Sequence, residues 1–233
     1  MKTGFLVRDD AWRDTVTVAA LDPFRGYGTA LSRALPGAQR VLDAFHVIKL
    51  ANDAVDETRR RVQQDALGHR GHNGDPLYQV RRLLRRGIET LTNRQVARLD
   101  AALAAGDPAG EVALAWQCAQ QLRAVYHAST AEEGQDRARR ILATFPSCPI
   151  PEIARLGRTL RGWRVEFFAY HDTGGASNGP TEAINLLIER SRRDAHGFRN
   201  FRNYRLRLLL SYGITWKTPS TAQIRTGSPR LVA

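Results

Sequence analysis

Apolar positions follow two regimes along this chain. Near the N-terminus they come in short continuous runs, and further on they recur every three or four residues. Thr15 to Leu21 reads TVTVAAL, a β-branched apolar run that stops at Asp22. Pro23 follows, then a helical pattern with Tyr27, Leu31 and Leu35 that closes at Pro36-Gly37. A second short run, Gln39 to Leu42, stops at Asp43. Strand, helix, strand with short connections predicts the βαβ unit of a parallel sheet. Continuous apolar strands suit a sheet covered on both faces. In such sheets functional groups gather at the carboxyl ends of strands, where Asp22 and Asp43 both stand. Each also reads as an ordinary turn or cap aspartate.

After Asp43 the pattern changes to a long helix, with Phe45, Ile48, Ala51, Val55 and Val62 near one face and Arg59-Arg60-Arg61 further on. A D-x-x-H motif, Asp43 to His46, sits where strand passes into helix. A zinc site needs three or four ligands. None of the other histidines or the two cysteines is spaced to join this pair, so a structural hydrogen bond is the expected role of His46. From about Leu67 to Gly175 the chain reads as helices broken by Gly, Pro and Asp. GHRGHNGDP is a flexible loop by composition. Tyr78 to Arg86 (YQVRRLLRR) is a short basic helix that either lines DNA or exposes a solvated face beside a leucine stripe. Thr92 to Ala105 and Glu111 to Ala128 are further helices, with Val112, Trp116, Leu122 and Val125 as core. Three prolines between Pro146 and Pro151 make a stiff connection. Arg155 to Phe168 then spaces Arg155, Arg158, Arg161 and Arg164 every third residue, a basic helix face whose guanidinium groups suit phosphates.

Ser177 to Tyr204 opens with Ser-Asn-Gly-Pro and turns at once helical, a strong helix start. Ile184, Leu187, Ile188 and Ala195 form an apolar stripe; Glu182, Asn185, Glu189, Arg193 and His196 fall on the polar side. Glu182 lies in the first turn, where the helix dipole favours an ionised carboxylate. A carboxylate on a face that soon becomes basic is what a magnesium-dependent, nucleic-acid-processing site needs. The alternative is that Glu182 closes an N-terminal capping box. The last residues, Thr218 to Ala233, are rich in Ser, Thr, Pro and Gly, and disorder is expected there.

Composition narrows the partners. The 233 residues carry a formal net charge of +12, which favours a polyanion, with phosphate backbone as the default. At 42% hydrophobic the chain can bury a sizeable core in one or two domains. Cys118 and Cys148 are too few for a disulfide framework or a zinc site, which fits a reducing cytoplasm. No apolar run approaches the length of a membrane span.

Four stretches together resemble the ISL-three family of bacterial insertion-sequence transposases: ALDPFRGYGTALSRALPGAQRVLDAFHVIKLANDAVDETRRR, GDPLYQVRRLL, CPIPEIARLGRTLRGW and SNGPTEAINLLIERSRRDAHGFRNFRNYRLRLLL. The resemblance runs from about Trp12 to about Trp216. It implies a DDE catalytic domain: an α/β fold with a partial ribonuclease-H-like core, a large all-α insertion and a mostly helical chain overall. The implied layout is core strands and helices over residues 1–60, the helical insertion over 61–175, core helices over 176–216 and a tail over 217–233. Carried over residue by residue, Asp22 matches the second catalytic Asp and Glu182 the catalytic Glu, both as metal ligands. Asp43 and His46 match the supporting D-x-x-H signature, with Asn185 and Arg193 as further supporting residues. Arg155, Arg158, Arg161 and Arg192 are the expected DNA contacts. The implied cofactor is Mg²⁺, with Mn²⁺ as substitute. The implied partners are transposon-end and target DNA and a homo-oligomer or full-length transposase, with no membrane.

The family's first catalytic Asp lies on an earlier core strand. Asp9 and Asp10 stand in polar sequence before Trp12, so neither is accepted as that ligand. The expectation is therefore the C-terminal part of a transposase catalytic domain, inactive alone. The competing expectation is a non-enzymatic DNA-binding or transposase-inhibiting fragment.

Overall fold

Two four-residue strands, β1 (Val18–Leu21) and β2 (Gln39–Leu42), pair in parallel, with Val18 opposite Gln39 and Leu21 opposite Leu42. They form the only sheet among the described residues, and α2 (Arg25–Ala34) connects them. The structure is a computed structural model that describes residues 9–213, so the Thr218 to Ala233 segment lies outside the described residues. The chain divides into two units that meet between Asn178 and Gly179. It is mostly helical.

In the first unit, α1 (Asp10–Asp14) precedes the sheet, and Asp9 caps it by accepting from the Trp12 amide at 2.9 Å. Ala19 and Leu21 of β1 are buried, as are Val41 and Leu42 of β2. α3 (Ala44–Leu67) is the long central helix and packs against α6 (Glu111–Tyr126) and α8 (Pro151–Gly162). Its buried stripe is Val47, Ala51, Ala54, Val55, Thr58 and Val62, the three-four spacing of a helix face. Phe45, expected on that face, is 61% exposed. It lies two residues before Val47, about 200° away around the helix. Gly68 ends α3 at φ 76°, a left-handed cap that favours glycine.

The rest of the unit is α4 (Pro76–Gln79), α5 (Asn93–Gly106), α7 (Ala131–Thr144) and α9 (Arg164–Asp172). Thr92 and Gln95 close a reciprocal capping box at the start of α5. Three sequence expectations change. Residues 80–86 form successive turns rather than a helix, with Leu83 N–H donating to the Val80 carbonyl at 2.8 Å. The Arg155 to Phe168 segment is two helices, because the chain leaves helical geometry at Trp163 (φ −115°, ψ 26°) just after Gly162. The loop after α3 is tethered. Buried Arg59 donates to the Arg70 carbonyl at 3.2 Å, and Asp75 accepts from Gln63 at 3.2 Å and from the His72 amide at 2.6 Å. Both cysteines are free thiols; burial, with Cys148 alongside, pushes the Cys118 thiol up to about 12.

α3 is locked to its neighbours by Arg61. Its Nε and Nη2 donate to the two Glu152 carboxylate oxygens at 2.8 and 3.1 Å, and Nη2 also reaches Glu111 at 2.6 Å. Burial pushes the Glu152 carboxyl up, but the Arg61 hydrogen bonds and charge, with help from backbone and Thr58, hold it below its ordinary 4.5. A depressed folded value means that the stabilisation is whole above the ordinary value and is lost as pH falls through the lowered one. Glu152→Gln should therefore be less stable by about 1–3 kcal/mol at neutral pH and lose less than wild type on acidification. Urea unfolding at neutral and acid pH checks this; parallel pH profiles would contradict it.

The second unit contains α10 (Gly179–Asp194) and α11 (Phe201–Leu208). α10 ends where His196 takes φ 51° and Gly197 φ 97°, so His196 is not part of the helical polar face. Ile184 and Leu187 are 54% and 36% exposed, and no described residue of this unit is buried.

Candidate active site

The parallel register carries Asp22 and Asp43 to adjacent positions one step beyond the last strand pair. The Asp43 amide extends the ladder by donating to the Leu21 carbonyl at 2.9 Å. Pro23 fixes φ after Asp22 and supplies no amide hydrogen, and the chain turns so tightly that the Phe24 amide donates back to the Asp22 carbonyl at 2.6 Å.

His46, in the first turn of α3, joins the two aspartates. Its Nδ1 lies 2.9 Å from Asp22 Oδ1 and 2.8 Å from Asp43 Oδ2. Both neighbours are carboxylate oxygens that only accept, so Nδ1 carries the hydrogen and shares it between them. Asp43 has further duties. Oδ2 accepts from the His46 amide at 3.2 Å, which makes Asp43 the N-cap of α3. Oδ1 accepts from the Asn178 amide at 2.8 Å, 135 residues away. The Asp43 side chain is 1% exposed, whereas Asp22 is 35% exposed and His46 22%. Asp43 is thus committed through both oxygens to holding the fold. Asp22 gives one oxygen, Oδ1, to His46, and its side chain stays partly exposed.

The surroundings fix this corner. Arg40 of β2 pairs with buried Glu166 of α9 at 2.8 Å and also contacts Ser32 of α2, so one guanidinium ties three elements together. Gly28 lets α2 approach Trp163, whose ring would lie 3.0 Å from an added Cβ. Tyr126, which the sequence did not single out, packs edge-on against Tyr170 with ring centroids 4.8 Å apart. Its buried hydroxyl has no hydrogen-bond partner among the described residues. Burial, then the neighbouring Tyr170 and Asp43, push that hydroxyl well above its ordinary value. A single tyrosine on an amphipathic helix carries no local sign of such a neighbourhood.

In the second unit, Glu182 occupies the first turn of α10 and is exposed, as are Asn185 and Arg193 further along the helix. Arg192 pairs with Glu189 at 2.9 Å. In the first unit Arg155 pairs with Glu57, Arg161 donates to the Leu142 carbonyl at 2.8 Å, and Arg158 is exposed without an acidic partner among the described residues.

Mg²⁺ takes hard oxygen donors and keeps several waters. The second Asp22 oxygen, which has no hydrogen-bond partner among the described residues, suits that chemistry, while Asp43 and His46 Nδ1 are occupied by hydrogen bonds. Among the described residues no group of three or more His, Cys, Asp or Glu side chains is arranged to hold a metal ion. No described helix is long and apolar enough to cross a membrane.

A strand-end aspartate steadied by a D-x-x-H histidine, in a mostly helical chain, is set in a sequence that matches a transposase family over residues 2–208. The chain belongs to the ISL-three family of DDE transposases. It is similar to the transposase for insertion sequence element IS1557 of Mycobacterium tuberculosis, at 30% identity over 205 residues in both strain CDC 1551 and strain H37Rv. These matches cover 79% of this chain and 45% of each relative, so the chain spans about half the length of the curated relatives it matches. No solved structure matches it.

Proposed function

We propose that this chain supplies the second Asp and the Glu of a DDE transposase, Asp22 and Glu182, for metal-dependent DNA strand cleavage and transfer in transposition. The observation that carries the reading is the Asp43–His46–Asp22 hydrogen-bond series at the strand ends, set in a chain of this family. Asp22 and Glu182 are the proposed ligands of Mg²⁺, or of Mn²⁺ in its place. When bound, the metal supplies positive charge at the phosphoryl oxygens and activates the attacking hydroxyl. Asp22 presents one free oxygen, and His46 restricts the rotation of its carboxylate through the other. Asp43 orients the imidazole from a buried position. Glu182 profits from the positive end of the α10 dipole. Asn185 and Arg193, further along α10, would position substrate, and Arg158 with Arg155, Arg161 and Arg192 would meet phosphate. The β1–β2 pair is proposed as part of a ribonuclease-H-like core, with the helices between residues 61 and 175 as an insertion and a transposase copy as protein partner.

One observation favours the competing reading, a DNA-binding or transposase-inhibiting chain without activity of its own. Asp9 is spent capping α1, and Asp10 pairs with Arg13, so neither stands at a strand end. Phosphoryl transfer depends on positioning and charge neutralisation by the full carboxylate set. The test is incubation of the 233-residue chain with duplex DNA in Mg²⁺ or Mn²⁺. The expected result is binding that weakens steeply with salt, without nicking or joining. Robust nicking would mean that another carboxylate completes the set, and failure to bind would contradict a DNA-processing role.

A further inference from the structure

Several arginines on the helices of the first unit are neutralised by a nearby carboxylate. Arg59 and Arg60 pair with Asp56, Arg61 with Glu152 and Glu111, Arg137 with Glu133, Arg139 with Asp136 and Arg155 with Glu57. Such pairs contribute little net positive potential outside the molecule.

The stretch from Leu77 to Leu99 is different. It holds six arginines, Arg81, Arg82, Arg85, Arg86, Arg94 and Arg98, against one acid, Glu89. Most of their contacts leave the charge intact. Arg81 stacks on the Tyr78 ring at 3.9 Å and donates to the Tyr78 carbonyl at 2.8 Å. Arg86 donates to the Thr90 carbonyl and to Gln95 Oε1, the latter at 3.4 Å. Arg98 donates to the Gln79 carbonyl at 3.2 Å. Arg82 and Arg94 are exposed with no partner among the described residues. Among the described residues only Arg85 of the six meets a carboxylate, Asp53 at 3.4 Å, which Lys49 holds more closely at 3.0 Å. The Arg98–Gln79 and Arg86–Gln95 contacts place the end of α4 and the 80–86 turns beside the first half of α5. Gln120 of α6 accepts from the Ile88 amide at 3.0 Å and donates to the Arg86 carbonyl at 3.1 Å, so the segment is anchored to the helical core.

Carbonyls and a ring that hold a guanidinium without cancelling its charge make a preorganised phosphate surface, because Arg offers several donors in a rigid fork. We infer that the surface formed by the 80–86 turns and the start of α5 is the main DNA-backbone contact of this unit, in preference to the arginine face of α8. The inference rests on the DNA-processing role proposed above and adds where on the chain duplex DNA is held. Backbone contacts position the duplex and carry no sequence code, so the surface should bind duplexes of any sequence.

The test compares wild type, Arg82→Glu/Arg94→Glu and Arg60→Glu/Arg139→Glu by fluorescence anisotropy on a labelled duplex of arbitrary sequence across a salt series. All three are first checked by circular dichroism and thermal melting. The two double variants change the net charge equally, but the second reverses arginines that are already ion-paired and exposed. Each lost phosphate contact lowers the slope of log K against log salt by about 0.9. The first variant should bind at least about tenfold more weakly, with its slope reduced by about 2, while the second changes affinity less than about threefold with its slope unaltered. If wild type binds and the first variant matches it, or if the second loses as much as the first, the location is wrong while the DNA-processing role stands. If wild type does not bind, both fall.

Discussion

Asp43→Ala is expected to destabilise the first unit by about 3 kcal/mol, which for a chain of this size lowers the melting temperature by roughly 6–12 °C. The substitution removes three things at once. The α3 N-cap, the 3.2 Å bond accepted from the His46 amide, is lost, typically about 1 kcal/mol. The His46 imidazole loses one of the two oxygens that share its Nδ1 hydrogen. The Asn178 amide loses its acceptor at 2.8 Å. Relief of the desolvation cost of a 1% exposed carboxylate offsets part of the sum, which is why the expectation stays below the gross total of the hydrogen bonds. Asp43→Asn keeps one carbonyl acceptor and should recover roughly half of the loss. Hydrogen exchange at the Asn178 amide gives a local readout, since its protection should vanish in Asp43→Ala and persist in part in Asp43→Asn. Melting within about 2 °C of wild type would mean that the carboxylate contributes little to holding this corner.

The parts of this site that are legible in sequence are those with a local signature. Apolar runs that stop at Asp22 and Asp43 mark strand ends, and the structure has β1 and β2 ending at Leu21 and Leu42. The D-x-x-H spacing places His46 one turn into a helix capped by Asp43, and a structural hydrogen bond for His46 follows from that spacing. What the spacing does not carry is the second carboxylate: the Asp22–His46 contact depends on the parallel register, which pairs residues 21 positions apart. The Asp43–Asn178 contact spans the whole helical segment and leaves no periodic trace at either end. Charge is the other case. Arginine every third residue from Arg155 reads as a basic face, but Glu57 on α3, far off in sequence, cancels Arg155, and the helix stops before Arg164. The run at Arg81 to Arg86 is helical by periodicity and forms turns in the structure, where the backbone bonds run mainly three residues back, as from the Arg81 amide to the Tyr78 carbonyl and from the Leu83 amide to the Val80 carbonyl. Phe45 misleads for a simpler reason: a one-residue error in phase moves a side chain about 100° around a helix.

The central claim is that Asp22 and Glu182 are metal-binding carboxylates, with Asp22 oriented by His46. Asp22→Asn is the informative variant. An asparagine carbonyl still accepts the shared Nδ1 hydrogen, so the His46 contact and the fold persist, while the anionic oxygen that a divalent cation requires is gone. Metal affinity should fall at least about tenfold. The direct measurement replaces Mg²⁺ with Fe²⁺ in the presence of ascorbate and peroxide, so that hydroxyl radicals formed at the bound ion cut the nearby polypeptide, and the cut sites are read by mass spectrometry. Wild type should be cut around Asp22 and around Glu182, excess Mg²⁺ should suppress both sets, and Asp22→Asn should lose both together. Cuts that persist unchanged in Asp22→Asn, or that fall at neither residue in wild type, would contradict the assignment.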